Sequence, residues 1–164
     1  MRGAGEAPPP RPAWPEILAT ALVATALLAG LTFLTGELGV LLLLASFAPS
    51  ALIVFAYPDS PFAQPRGVLL GHLIGSACGL AGAHLFPGHW WAAPLAVGLA
   101  IGLMKALRAV HPPACANPLI VFALDQAPWR FLLCPTLAGA ALILVVALFY
   151  HNLRRAAPWP RYWL

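Results

Sequence analysis

Ile17–Thr35 reads ILATALVATALLAGLTFLT, 19 residues without a charge. A helix needs about 20 consecutive apolar residues to cross the hydrocarbon core of a bilayer. Five further apolar runs follow, each ended by charge, glycine or proline. The second is Leu38–Tyr57, entered through Gly36-Glu37 and interrupted by Pro49. A polar loop, Pro58–Gly67 (PDSPFAQPRG), leads to the third run, Val68–Phe86. The fourth is Trp91–Leu107, with Lys105 near its end. The fifth, Val110–Leu124, is short and carries Pro112, Pro113 and Pro118. Asp125–Arg130 makes a turn, Phe131–Tyr150 is the sixth run, and a basic tail closes the chain.

Composition agrees with repeated membrane crossing. The chain has 164 residues, 61% hydrophobic and 9% charged, where a soluble domain carries about 25% charged residues. The net charge of +4 does not read as a nucleic-acid surface, because no Lys/Arg cluster is interleaved with aromatics. Cys78, Cys115 and Cys134 are far apart and lack CxxC spacing, so they read as small core residues and not as a disulfide framework or zinc site. The acids are Glu6, Glu16, Glu37, Asp59 and Asp125, none placed in the middle of a run. That counts against metal-cation transport, which needs buried oxygen ligands. HExxH, P-loop and Ser-His-Asp patterns are missing from the sequence. The expectation is a protein that is not an enzyme, with no cofactor and no metal.

Basic residues orient the runs. If all six cross and the N-terminus is cytoplasmic, Arg2, Arg11, Arg66, Lys105, Arg108, Arg154, Arg155 and Arg161 fall inside and Arg130 alone falls outside. Removing the fifth crossing would send the C-terminal arginines outside, so the short proline-rich run is counted as a crossing. Trp90, Trp91 and Trp129 then mark the outer interface, and Trp14, Trp159 and Trp163 the inner one, where indoles collect. No removable signal peptide is recognised at the start, because no small-residue cleavage site follows a short apolar core. The expected organisation is a disordered cytoplasmic arm over 1–15, a transmembrane domain over 16–152 and a cytoplasmic tail over 153–164.

LIVFA occurs twice, at Leu52–Ala56 and at Leu119–Ala123, an offset of 67 residues. Each copy is followed by Pro and an aromatic, Pro61-Phe62 and Pro128-Trp129, and preceded by a proline-containing break, Ala48-Pro49-Ser50 and Cys115-Ala116-Asn117-Pro118. Ser50 corresponds to Asn117 at this offset. The topology sends the second run inward and the fifth outward. The fold class expected is therefore all-α membrane, with about six transmembrane helices in two inverted three-helix halves, about 16–87 and 88–152. The second and fifth helices would be broken at mid-membrane, a recurrent transporter plan. Ser50 and Asn117 are N-cap types. Two half-helix N-termini facing each other would bind an anion through free N–H groups. The alternative is that these prolines only kink packed helices.

His111-Pro112-Pro113-Ala114, after Leu107-Arg108-Ala109-Val110, resembles the motif that names the HPP family of integral membrane proteins. Ser60–Arg66 (SPFAQPR) followed by Gly71-His72, and the ending Tyr150-His151-Asn152 with Pro160-Arg161-Tyr162-Trp163, are similar to that family too, over about residues 14–164. The resemblance implies a transporter-like membrane protein, and some plastid and cyanobacterial members are associated with nitrite transport. The chain departs from the family pattern where glycines are replaced, at Ala48 and Cys115, and Asn117 stands where the family has threonine.

The residues expected to bind substrate are Pro49, Ser50, Ala116, Asn117, His111 and His72. Gln64, Pro65, Arg66, Arg108, Pro112 and Pro113 are expected to form a gate or rim. Each has a plainer reading. His111 could relay protons or orient its loop through a carbonyl. Gln64-Pro65-Arg66 could be a rigid turn with an inside anchor. Lys105 and Arg108 could snorkel to inner headgroups. Gly71, Gly75 and Gly79 make a face for close helix packing. The partners expected are the lipid bilayer, a small anion and a second copy of the chain, with no nucleic acid, and the location expected is a bacterial inner membrane. The function expected is transport of a small inorganic anion, nitrite first, by a secondary transporter or channel. The alternative is a non-transporting subunit or scaffold, with no midplane cavity.

Overall fold

The computed structural model describes residues 7–124 and 127–163. Six α-helices and no β-strand are found among them: α1 Trp14–Leu38, α2 Phe47–Ala56, α3 Pro65–Leu85, α4 Ala92–Ala106, α5 Asn117–Ala123 and α6 Ala138–Arg154. By length and composition, three segments can cross a membrane: Trp14–Leu38, Pro65–Leu85 and Trp129–Arg154. The other helices are apolar but shorter. At 1.5 Å per residue α4 is roughly 22 Å long and α5 about 10 Å, below a hydrocarbon core of about 30 Å.

The helix ends differ from the expected runs for local reasons. α1 starts at Trp14 because Pro15 fits the first turn and Glu16 lies where the dipole favours an acid. Gly36-Glu37 does not stop it. The stop is Gly39, whose left-handed φ of 61° suits a residue without Cβ. Residues 1–6 of the expected arm, and Asp125 and Gln126 of the expected Asp125–Arg130 turn, lie outside the described residues.

The second run is not one helix broken at Pro49. Val40–Leu43 is irregular, with Leu42 N donating to Thr35 Oγ1 at 3.0 Å. α2 then begins at Phe47, so Pro49 sits in its first turn, where the missing N–H costs nothing. The fifth run divides as expected, into a 3₁₀ turn over Pro112–Ala116 and α5. The sixth run is irregular where continuity was expected. Trp129–Leu132 is 3₁₀, Leu133–Leu137 is a π turn with Cys134 at φ −138°, ψ 120°, and α6 starts only after it. Pro135, lacking an N–H and crowding the preceding turn, interrupts the ladder there.

α3 is the centre of the packing. Its glycines face the segment that leads into α5. A Cβ on Gly71 would lie 2.8 Å from His111 Cβ, one on Gly75 would collide with the Ala114 carbonyl, and one on Gly79 would lie 2.7 Å from Pro118 Cα. The glycine stripe thus lets one backbone seat against another. This chain's own residues fill it, which removes it as a face for a second copy. On the other side Phe47, wholly buried, presses its ring against Gly139 of α6, and Leu27 and Leu31 of α1 join the same core.

Contacts sort the segments into two ends. At one, Ala13–Thr20 lie with Phe55–Ser60 and Tyr150–Arg155, and Arg66 donates to the Leu107 and Arg108 carbonyls. At the other, Gly39–Leu41 lie with Leu124 and Ala127–Phe131, and Ala83-His84 and Pro87-Gly88 with Phe122 and Leu124. The tail forms a strap at the first end. Trp159 is buried, its Nε1 donates to the Pro58 carbonyl, and its backbone pairs with Asn152. Arg155 and Arg161 both bond Asp59, at 2.7 Å and 3.1 Å. The Arg155 hydrogen bond, and the positive charge of both arginines, hold the Asp59 carboxyl below its usual range.

Candidate functional site

Ser50 of α2, His72 of α3, His111 before the 3₁₀ turn, and Asn117 opening α5 meet in one buried cluster. Each is completely enclosed. α2 and the His111–Asn117 segment come from opposite halves of the repeat, and α3 lies between them. His72 is seven residues into α3, about 10 Å along the axis. Gly71 and Gly75 bracket it, and their missing side chains let the His111–Ala114 backbone approach.

The bonds form a chain. Ser50 Oγ is 2.9 Å from His72 Nε2 and 2.9 Å from His111 Nε2. His111 Nδ1 is 2.7 Å from the Phe62 carbonyl. Asn117 Nδ2 lies 3.1 Å from His72 Nδ1, 3.1 Å from the His72 carbonyl and 2.9 Å from Ser76 Oγ. Ser76 Oγ pairs with Thr136 Oγ1 at 2.8 Å. Phe47 meets His72 edge-on. Buried polar atoms are nearly always paired, and among the described residues three are not: Ser46 Oγ and Asn117 Oδ1 at or beside the cluster, and Arg155 Nη1 at the strap.

No Asp, Glu, Lys or Arg is buried among the described residues. The cluster therefore holds hydroxyl, amide and neutral imidazole groups, donors and acceptors paired with one another, without a fixed negative charge. Among the described residues no group of three or more His, Cys, Asp or Glu is placed to hold a metal.

Other expected site residues take different places. Pro49 is exposed and faces away from the cluster, and Ala116 contributes no polar group. Neither Ser50 nor Asn117 caps a helix with its side chain. Ser50 lies inside the first turn of α2 with its hydroxyl 2.9 Å from the Ser46 carbonyl, and Asn117 is the first residue of α5. The half-helix amides are also used: Phe47 N donates to Leu44 O, Ser50 N to Ser46 O, and Asn117 N to Ala114 O. The pair of open N-termini expected to hold an anion is therefore replaced by a side-chain cluster.

Of the expected rim, Gln64 and Pro65 are buried. Gln64 Nε2 donates to the Pro58 and Ser60 carbonyls and its Oε1 accepts from Arg161 N, so it ties the loop to the strap. Arg66 binds the Leu107 and Arg108 carbonyls, and Arg108 takes a left-handed φ of 52° to turn the chain. Pro112 is exposed and Pro113 buried. Sequence reasoning did not single out Ser76, Thr136 or the Phe62 carbonyl. Ser76, four residues after His72, shares its helix face and was within reach of that rule. Thr136 follows an irregular turn and carried no periodic signal.

These features define an integral membrane protein, all-helical, with an uncharged polar cluster enclosed in an apolar chain. The chain belongs to the HPP family: the family described as HPP, transmembrane region, matches residues 9–160. It is 38% identical over 128 residues to one transmembrane protein of Dictyostelium discoideum and 35% identical over 136 residues to another. Those alignments cover 74% and 79% of this chain but 45% and 44% of the relatives, so the chain spans less than half of their length. No solved structure matches it.

Proposed function

We propose that this chain moves a small inorganic anion across a membrane, as a secondary transporter or channel, with Ser50, His72, His111 and Asn117 as its site. The observation that carries the reading is their enclosure in one cluster that has donors and no fixed negative charge. Buried polar groups in a membrane protein are costly and mark pathways, and an uncharged donor set favours an anion over a cation. Nitrite is the first candidate because of the family resemblance. Six crossings in two inverted halves, with both termini cytoplasmic in a bacterial inner membrane, fit the sorting of segments into two ends and the gathering of basic residues at one of them.

Nitrite uptake into liposomes containing the purified chain tests the reading. Removing two members of a shared network, as Ser50→Ala with Asn117→Ala, is expected to lower the rate roughly tenfold or more. An unchanged rate would move the site elsewhere.

One observation favours the second reading, a non-transporting membrane subunit. The cluster is sealed, and the surface cavities of 380 to 780 Å³ lie at the two ends and against α1, lined by other residues. In the transport reading this is an occluded state. Liposomes impermeable to nitrite, nitrate and formate alike would favour the subunit.

A further inference from the structure

The Phe62 end of the buried chain sets the direction of its bonds whenever Ser50 gives its hydrogen to His111. The Phe62 carbonyl can only accept, so His111 Nδ1 carries a hydrogen and, in the neutral ring, Nε2 accepts. With the Ser50 hydrogen given to His111 Nε2, the bond between Ser50 and His72 needs a hydrogen on His72 Nε2. That leaves His72 Nδ1 as an acceptor facing Asn117 Nδ2, whose two hydrogens are shared with the His72 carbonyl and Ser76 Oγ. Ser50 then receives from His72 and gives to His111. The order is Asn117, His72, Ser50, His111, Phe62, all head to tail.

We propose that this chain is a proton relay, carrying one proton with each anion between the cluster and the loop at Phe62. The proposal rests on the transport reading above. In the transfer the proton that arrives with the anion bonds to His72 Nδ1 as the Asn117 amide turns away from it. The His72 Nε2–H bond breaks as Ser50 Oγ takes that hydrogen, Ser50 gives its own to His111 Nε2, and the His111 Nδ1–H leaves to water beside the Phe62 carbonyl. One proton enters, one leaves, and no electrons are exchanged. Phe62 is exposed while His111 is fully buried, so the relay ends at a residue that reaches the surface.

Two further features belong to such a relay. Asn117 Oδ1 is buried without a partner. When His72 Nδ1 becomes protonated, that oxygen is the acceptor it needs once the amide turns over. Ser50 Oγ also lies 2.9 Å from the Ser46 carbonyl, so rotation of one hydroxyl between Ser46 and His111 breaks or makes the path. Ionisable side chains on the elements packed against α3 stay outside it. His151 bonds the Val54 carbonyl and Cys134 the Leu41 carbonyl, and Lys105, Cys115 and Arg130 form no bond to the chain.

The test is wild-type protein in liposomes with a pH-sensitive dye inside, equal pH on both sides, and sodium nitrite added outside. The expected result is acidification of the lumen in step with nitrite entry, about one proton per anion and independent of a potassium–valinomycin potential. His72→Gln, which keeps a hydrogen-bonding side chain but cannot pass a proton, is expected to lose at least nine-tenths of the acidification. Nitrite entry with a silent dye in wild type overturns the relay and leaves the transport reading standing. Full acidification in a folded His72→Gln or His111→Gln protein also overturns the relay. No nitrite entry into wild-type liposomes overturns the transport reading together with the relay.

Discussion

Glycines on two helices make opposite demands on substitution. On α3 the space a methyl group would fill is already backbone: the Ala114 carbonyl at Gly75 and Pro118 Cα at Gly79. Overpacking of this kind costs about 1–3 kcal/mol, so Gly75→Ala and Gly79→Ala should each lower the melting temperature of the detergent-solubilised protein measurably. Gly98 on α4 has nothing within 4 Å of its absent Cβ. Gly98→Ala should be neutral or stabilising by up to about 1 kcal/mol through the unfolded chain. Equal losses at all three would show that helix propensity, and not the α3–α5 seat, governs these positions. Thr136→Val tests the edge of the cluster. It removes the hydroxyl that pairs with Ser76 and should cost about 1 kcal/mol in the same melt, a loss expected to shrink when Ser76→Ala is already present. Single residues were also where the sequence was most legible. Ser50, His111 and Asn117 stand out as polar groups beside proline breaks in apolar runs, and His72 as a histidine inside an apolar run. Thr136 does not, since its burial depends on how the irregular turn before α6 folds back on α3.

The C-terminal strap is an element that composition misreads. Arg154, Arg155 and Arg161 look like an inside anchor, and a basic tail is ordinarily solvated. Its order comes from partners distant in the chain: Asp59, Gln64 and the Pro58 carbonyl. No local pattern announces such pairings. The same holds for α2, whose first residue Phe47 packs its ring on Gly139, far along the chain in α6. Trp159→Ala should therefore release the strap, and trypsin should cut after Arg155 many times faster in micelles than in wild type. Unchanged cutting would mean that the Asp59 pairs alone hold it. Asp59 adds a pH dependence of definite sign. Its carboxyl is held below the usual range, first by the Arg155 hydrogen bond. The stability it contributes is present above the ordinary carboxylate range and lost as pH falls through its lowered pKa. The group is solvent-exposed, so the contribution is at most about 1 kcal/mol. Asp59→Asn should melt slightly below wild type at pH 7, with the difference closing in strong acid. A constant difference at all pH values would assign the effect to packing.

At the scale of the whole molecule, the sequence argument for six crossings rested on basic residues, and the structure adds an independent arrangement of segments. Arg66 touches the carbonyls of Leu107 and Arg108, and Asp59 holds Arg155 and Arg161, so the loop after α2, the turn after α4 and the strap lie at one end. His84 stacks on Trp129, placing the end of α3 beside the start of the sixth run at the other. Among the described residues, three segments are long and apolar enough to cross a membrane unaided. α2, α4 and α5 are short because α2 and α5 are continued by irregular backbone, which in lipid is tolerated only where protein covers it. Here the 3₁₀ turn over Pro112–Ala116 packs on the glycines of α3, and the irregular stretch before α2 lies against Thr35 of α1, Cys134 and Gly139 of α6. The prediction is made on a background with Cys78, Cys115 and Cys134 replaced by alanine. Single cysteines at His89 and Arg130, both exposed, should react with a membrane-impermeant maleimide added to intact cells. Cysteines at Ala106 and Ala157, also exposed, should react only after the membrane is opened. If α5 did not cross, Ala106 and Ala157 would label from opposite sides, and the inverted-half arrangement would fall with that result.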